Sequence, residues 1–334
     1  MKKHIVVAAG LAVLSTGAFA TVARMQALNQ GTGAQGSYYI DDERNVFRSA
    51  GAFSGNYVYM EHGADFAAGA TTGTAEGGVF REGGSMSYGL YLNSTAHGDN
   101  VQTSGANGVD PGRLDLFLKG NSGMNWGVRL GYSSILVDAS NIDNSGFDFS
   151  VSAELGGADV WLTMEPGADK TTAAQNDQAA DMQLGASMEM NDHTLFAEYD
   201  SQGGNDGADA QTTLTLGAAQ THSTDSGMWF YDVSLVNVTN QGFNTDNSQM
   251  SLPVTFGFET KATSWLTWRG SLQQSLYGAQ TTGDNDTSVR TTSIGVGASL
   301  TWGSLRVDGT VNSSTGNNLG TNNFMSGVSA VYNF

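Results

Sequence analysis

The residues able to do chemistry are carboxylates and a few cations, and their spacing limits what that chemistry is. The chain carries 32 Asp and Glu against 14 Lys and Arg, with 5 His and no Cys. Without thiols there is neither a disulfide framework nor a cysteine nucleophile. His62, His97, His193 and His222 stand singly, with no metal-ligand spacing. The charges that recur do so at every second position. Asp148, Glu154, Asp159, Glu165, Asp181, Glu189 and Glu198 alternate with apolar residues. So do Arg81, Arg113, Lys119, Arg129, Arg269 and Arg306. A period of two places such residues on one face of a strand. The acidic set comes from four consecutive stretches, 145–155, 158–165, 181–190 and 193–200, that hold no Lys or Arg. The basic set comes from the stretches before and after. Neighbouring strands lie about 4.8 Å apart, so the two signs are expected on different sectors of one wall. Opposed arcs of this kind order water, favour dipolar solutes and select ions by charge; they are not an arrangement for bond-breaking.

The elements that hold these charges are strands with unlike faces. In MNWGVRLGY, residues 124–132, Met124, Trp126, Val128, Leu130 and Tyr132 alternate with Asn125, Gly127, Arg129 and Gly131. The pattern predicts sixteen strands: 54–62, 74–82, 85–93, 112–120, 123–137, 145–155, 158–165, 181–190, 193–200, 209–221, 227–238, 250–261, 264–276, 287–301, 304–312 and 321–334. In the first two strands both faces compete: Tyr57 and Tyr59 against Val58 and Met60, then Val79 against Phe80.

Connections alternate in length. Short ones fall at Gly83-Gly84, Asn121-Ser122, Gly156-Gly157, Asn191-Asp192, residues 222–226, Ala262-Thr263 and Trp302-Gly303, and several suit tight hairpins because Gly and Asn tolerate positive φ. The long ones, 63–73, 94–111, 138–144, 166–180, 201–208, 239–249, 277–286 and 313–320, are rich in Asp, Asn, Gly, Ser and Thr. One end of the sheet has turns and the other has loops. Hydrocarbon cannot satisfy backbone groups, so a sheet that crosses a bilayer must close. The expected fold is all-β: a transmembrane antiparallel β-barrel of about 16 strands, with short periplasmic turns, longer extracellular loops and a polar interior. A soluble sandwich would have richer Ile, Leu and Val faces and less orderly turns.

The start of the chain fits export. Lys2 and Lys3 precede an apolar run from Ile5 to Leu14, and Ala18-Phe19-Ala20 matches a small-residue cleavage site. Residues 1–20 therefore read as a signal peptide. Removing it takes two of the basic residues and none of the acidic ones, and the strong negative charge that remains argues against nucleic acid as a partner. Residues 54–334 form the barrel. Between them lies a segment, 21–53, in which Val22, Met25 and Leu28 share a short helical face and Asp41, Asp42, Glu43, Arg44 and Arg48 follow. Two fates are open to it: a lumen-inserted or mouth-covering plug, or a disordered periplasmic tail.

The end of the chain, FMSGVSAVYNF, places Phe324, Val328, Ala330, Tyr332 and Phe334 on one face and closes on an aromatic residue. It resembles the last strand of bacterial outer-membrane β-barrels, in which a terminal Phe and an aromatic two residues earlier belong to the assembly signal; here those are Phe334 and Tyr332. The strand count is similar to that of the general diffusion porins. The stretch YYIDDERNVF, 38–47, resembles a segment of porin-like outer-membrane proteins. The resemblance implies an integral protein of the Gram-negative outer membrane with both termini periplasmic. Lipids, lipopolysaccharide and the barrel assembly machinery are its implied partners, and a homotrimer its implied assembly. The implied function is a channel for ion transport and passive diffusion of small hydrophilic solutes, with no cofactor; the acidic excess adds weak cation preference. Eighteen residues, 94–111, make the longest loop, modest for the inward-folded constriction of general porins.

Two other functions are carried alongside. One is a structural or adhesive barrel with a plugged lumen. The other is a barrel enzyme using a rim group such as His62 or His97 with Asp65, Asp99 or Ser94. Gly31 to Gly36 matches G-x-G-x-x-G but lacks a βαβ context. Thr281 to Asp286 and Asn205-Asp206-Gly207 offer oxygen ligands for Ca²⁺ without EF-hand spacing, so no metal site is expected.

Overall fold

Alternation builds the wall. The structure, a computed structural model, describes residues 21–30, 35–62, 75–94, 112–120, 123–137, 142–166, 180–203, 210–241, 247–282, 285–314 and 327–334. The strands are β1 (Tyr57–His62), β2 (Ala75–Arg81), β3 (Met86–Leu92), β4 (Gly112–Gly120), β5 (Trp126–Val137), β6 (Ile142–Leu155), β7 (Ala158–Glu165) and β8 (Asp181–Met190). They continue as β9 (His193–Gln202), β10 (Ala210–Thr224), β11 (Gly227–Gln241), β12 (Asn247–Lys261), β13 (Leu266–Thr282), β14 (Asn285–Ser288), β15 (Thr292–Trp302), β16 (Leu305–Ser314) and β17 (Gly327–Asn333). Each pairs antiparallel with its neighbours, and β1 pairs with both β2 and β17. The sheet is closed, so it has no free edge.

β14 and β15 are two halves of one wall strand, which makes the barrel sixteen-stranded. Both pair with β13, and residues 275–278 of β13 face only 289–291 between the halves. Val289 N–H still donates to Gly278 O at 3.0 Å and Ser275 N–H to Thr291 O at 2.9 Å. The irregularity starts at Pro253. On β12 the register shifts between Leu252 and Pro253, leaving Leu276 of β13 without an opposite residue. Proline has no N–H for the ladder, and a bulge lets a strand carry it. The neighbouring Leu276 and Tyr277 are accordingly both exposed.

Several boundaries differ from the sequence reading. β10 runs to Thr224, so the expected connection 222–226 shrinks to a turn at Asp225-Ser226 closed by Thr224 Oγ1 donating to Gly227 O at 3.1 Å. β13 and β14 extend into the expected loop 277–286 and pair there. The other long connections fall wholly or partly outside the described residues, as do residues 1–20 and Phe324. Tight turns are as their residues dictate: Asn191 and Asp192 both have positive φ, as do Gly156 and Gly157, the type I′ pattern that matches strand twist.

Trp126, Val128, Leu130 and Tyr132 point outward, while Gly127, Arg129, Gly131 and Ser133 are buried inside. Exposed Leu90, Leu116, Leu184, Leu216, Phe256 and Val296 continue the outer apolar surface around the ring. At the turn end Trp268, Trp302, Tyr332 and Phe334 are also exposed, as an interfacial girdle requires.

Candidate functional site

The interior is occupied by the chain's own N-terminal segment, residues 21–30 and 35–56. Thr21 caps a single helical turn and a half, α1 (Val22–Ala27), by accepting from Arg24 N–H at 3.1 Å. Asp42 caps a 3-10 turn, Glu43–Phe47, by accepting from Arg44 N–H at 2.7 Å. Neither element would persist alone in water; both are held by the wall. Val22 N–H donates to Glu61 of β1 at 3.0 Å. Ser271 of β13 donates to Ala27 O at 2.7 Å, and Ser293 of β15 to Asn29 at 2.7 Å. Tyr38 donates to Glu198 of β9 at 2.8 Å and Tyr39 to Asp232 of β11 at 2.5 Å. Gly51 N–H reaches Ser152 of β6 at 3.1 Å, and Lys119 of β4 donates to Phe53 O at 2.7 Å.

Three arginines of this segment meet wall carboxylates. Arg24 pairs with Glu259 of β12 and with Asp42 of the segment itself. Arg44 lies 3.2 Å from Glu76 of β2, and Arg48 lies 3.6 Å from Glu198. Burial opposes the charge of Arg24, but Glu259 and Asp42 outweigh it and hold the guanidinium above its ordinary range. Burial lifts the Asp42 carboxyl to about 7 against the pull of Arg24, and lifts Glu43 to about 8. Of the five charged residues singled out here, Asp42, Arg44 and Arg48 are buried, Glu43 is half-buried and Asp41 is exposed.

An apolar seat completes the fit. Phe47 packs edge-on against Tyr91 and Phe117, Phe53 against Phe80, and Tyr38 stacks on Phe196 with ring centres 4.3 Å apart. Phe80, Phe117, Trp161, Phe196 and Phe230 stand on the inward parity of their strands, where a water-filled lumen calls for polar groups. Tyr57 and Tyr59 also face inward, which resolves the competition on β1. These aromatics were the missed signal: large rings at polar positions have something to cover. Backbone meets backbone at Gly127, where a Cβ would overlap Gly51 N, and at Gly295, where it would overlap Ala27 O.

The basic arc is not a free positive wall. Arg113 lies 2.6 Å from Asp148 and 3.0 Å from Asp115; Arg129 lies 3.2 Å from Asp115 and also pairs with Asp148. The four form a closed, buried quartet, joined by Ser94 donating to Asp115 at 2.6 Å. Arg269 and Arg306 share Asp308 at 3.0 and 2.8 Å. Asp148 therefore leaves the acidic arc and joins the neutralised belt, because the register sets Gly131 opposite both Asp115 and Asp148 and brings these side chains together. Arg81 is a correction of another kind: Phe80 takes the inward position on β2, so Arg81 is exposed on the outer parity beside Val79.

Among the described residues, inward carboxylates without an ion pair are densest in one sector, β6 to β9; outside it, Glu61 accepts from Val22 N–H and Asp232 from Tyr39. Among the described residues, Glu154, Asp159, Asp181, Glu189 and Asp200 form no ion pair, and Glu198 has Arg48 alone. Glu154 faces Asp159 across β6 and β7, and Glu165 faces Asp181 across β7 and β8. Along this sector the segment leaves space: a cleft of about 220 Å³ at the turn end and a smaller cavity of about 50 Å³ toward the loop end, lined by Glu165, Asp181, Gln183 and Asp200. Of the rim groups considered for catalysis, Ser94 is committed to Asp115, His62 stands on the outer parity of β1, and Asp65, His97 and Asp99 lie outside the described residues. Asp286 accepts from Thr281 at 2.8 Å; residues 205–207 and 31–34 lie outside the described residues. Among the described residues no group of three or more His, Asp or Glu is arranged to hold a metal.

No protein-family model matches the chain, and no curated protein matches it. Solved structures do. One, titled as a bacterial polysaccharide outer membrane secretin, superposes with a TM-score of 0.56 at 10% identity over 84% of this chain and 97% of its own. A porin refined at 1.8 Å gives 0.47 at 11% identity over 84% and 99%, and a mutant of the Rh. blastica porin gives 0.41 at 13% over 84% and 98%. At such identities the first shows the architecture alone, a closed antiparallel β-barrel.

Proposed function

We propose that this protein is a porin-like channel of the bacterial outer membrane whose bore is narrowed by its own residues 21–56. Residues 1–20 serve as the export leader, and the turn end with both termini faces the periplasm. Small hydrophilic solutes and ions diffuse through the gap along β6 to β9, with weak preference for cations and without cofactor or catalysis. Lipid and lipopolysaccharide surround the barrel, the assembly machinery reads Tyr332 and Phe334, and three copies associate. The observation that carries this reading is the unequal treatment of charge. Among the described residues, arginines elsewhere in the lumen are matched by carboxylates, whereas Glu154, Asp159, Asp181 and Asp200 beside the two cavities form no ion pair. Local negative charge in a low-dielectric wall raises cation concentration.

Planar-bilayer recording of the purified mature protein tests it. The expected result is a small, cation-preferring conductance that rises when residues 21–50 are deleted. Anion preference overturns the selectivity. The second reading, a plugged structural or adhesive barrel, is favoured by the hydrogen bonds and ion pairs that tie the segment to strands all around the ring. It wins if the intact protein is silent and only the deletion conducts.

A further inference from the structure

The turn-end cleft has its own chemistry. The plug supplies Tyr38 and Arg48, and the wall supplies Lys119 of β4, Glu154 of β6, and Asp159 and Trp161 of β7. Arg48 is only 8% exposed, its guanidinium lies 3.9 Å over the Tyr38 ring, and its Nη1 has no hydrogen-bond partner. A buried guanidinium donor without a partner is costly unless something accepts from it. Lys119 spends one donor on Phe53 O and forms no ion pair among the described residues; an ammonium has two more. Glu154 and Asp159 stand directly opposite each other in the β6–β7 ladder, an arrangement of like charges that weakens a sheet. Arg48 pairs outside the cleft, with Glu198 at 3.6 Å, and Glu154 accepts from Asn125 at 2.6 Å, but among the described residues no cation of the cleft pairs with Glu154 or Asp159.

We infer that this cleft binds a small zwitterionic solute of the α-amino-acid type. Its carboxylate accepts from Arg48 and Lys119, and its ammonium donates to Glu154 and Asp159. A lone cation would leave the Arg48 donor unmet. A lone anion or a neutral polyol would leave the facing carboxylates uncompensated. At about 220 Å³ the space lies below the range of about 300–1,000 Å³ typical of drug-sized ligands, so the solute is small. This inference rests on the channel reading in one respect, that solutes reach the cleft through the lumen.

Calorimetric titration of the mature protein in detergent tests it with glycine, acetate, glycinamide and glycerol. Glycine is expected to bind saturably, and the other three at least about tenfold more weakly, the worth of one charge-assisted hydrogen bond. Glu154→Gln and Asp159→Asn alter exposed wall side chains, and the hydrogen bonds and ion pairs that seat the described part of the segment run to other residues. Each is expected to reduce glycine affinity by about tenfold, with folding confirmed by the β-sheet circular dichroism. Equal binding of glycine and glycinamide, absence of saturable glycine binding, or unchanged affinity in both variants overturns the inference. A conducting channel with no glycine selectivity removes the cleft and keeps the channel reading. Selective glycine binding to a protein silent in bilayers does the reverse.

Discussion

At the scale of the residue, the segment in the lumen is held by charge that has been taken out of water. Removing one partner of a buried ion pair strands the other, which costs about 3–5 kcal/mol. Burial raises the carboxyls of Asp42 and Glu43 to about 7 and about 8. An undocked segment would return both to the ordinary range near about 4. The docked state therefore holds protons that the undocked state releases. The contribution of these two groups to docking is greatest below about pH 4 and is lost as pH rises through 7 to 8. Conductance recorded from pH 5 to 8.5 should accordingly rise as the segment loosens at the alkaline end. Asp42→Asn combined with Glu43→Gln should flatten the rise, since neither replacement titrates. A profile as steep in the double variant as in the parent would place the titration elsewhere.

At the scale of the element, the barrel was legible in the sequence and its contents were only partly so. Period-two alternation identifies MNWGVRLGY as a strand with one apolar and one polar face without any knowledge of its neighbours, because each residue's face depends only on its own position. Ion pairs do not have that property. Nothing local to Arg113 or Arg129 announces Asp148, which reaches them only once β4, β5 and β6 are set in register. Arg81 departs from the expected face for a related reason: on β2 both Val79 and Phe80 are apolar, and Phe80 faces inward, where Phe53 and Tyr57 pack against it. The inward glycines carry a readable signal that composition hides within a total of 45. Gly127 is one of them, with Gly51 of the segment lying against it. Gly127→Val should leave the strand able to pair while forcing the segment away, at a cost of about 1–3 kcal/mol for overpacking. Limited proteolysis should then cut within residues 21–56 faster than in the parent, with the barrel itself still resistant. Equal cutting rates would mean that the contact at Gly127 does not hold the segment.

At the scale of the whole molecule, the question is which of its many acidic residues act on a passing ion. Charge alone does not answer it, since Asp148 and Asp181 are both inward carboxylates on the same wall. Asp148 is cancelled at contact distance by Arg113 and Arg129. Among the described residues Asp181 accepts from Gly203 N–H, at 2.7 Å, and forms no ion pair, and it borders open space with Asp200. The two therefore fail in different ways when neutralised. Asp181→Asn with Asp200→Asn removes field from the passage and leaves no buried cation stranded, so thermal stability should hold while cation preference falls. Asp148→Asn leaves two buried guanidinium groups sharing Asp115, so it should destabilise the barrel by about 3–5 kcal/mol with little change in preference among the channels that still fold. Reversal potentials under a salt gradient read the first effect and thermal unfolding in detergent reads the second. Exposed charges are screened over about 10 Å at 0.1 M salt and about 3 Å at 1 M. The parent's preference should therefore shrink at high salt toward that of the Asp181 and Asp200 variant. If both substitutions changed selectivity alike, the quartet on β4 to β6 would have to be open to the passage, and the division of the lumen into a neutralised belt and an acidic sector would fail.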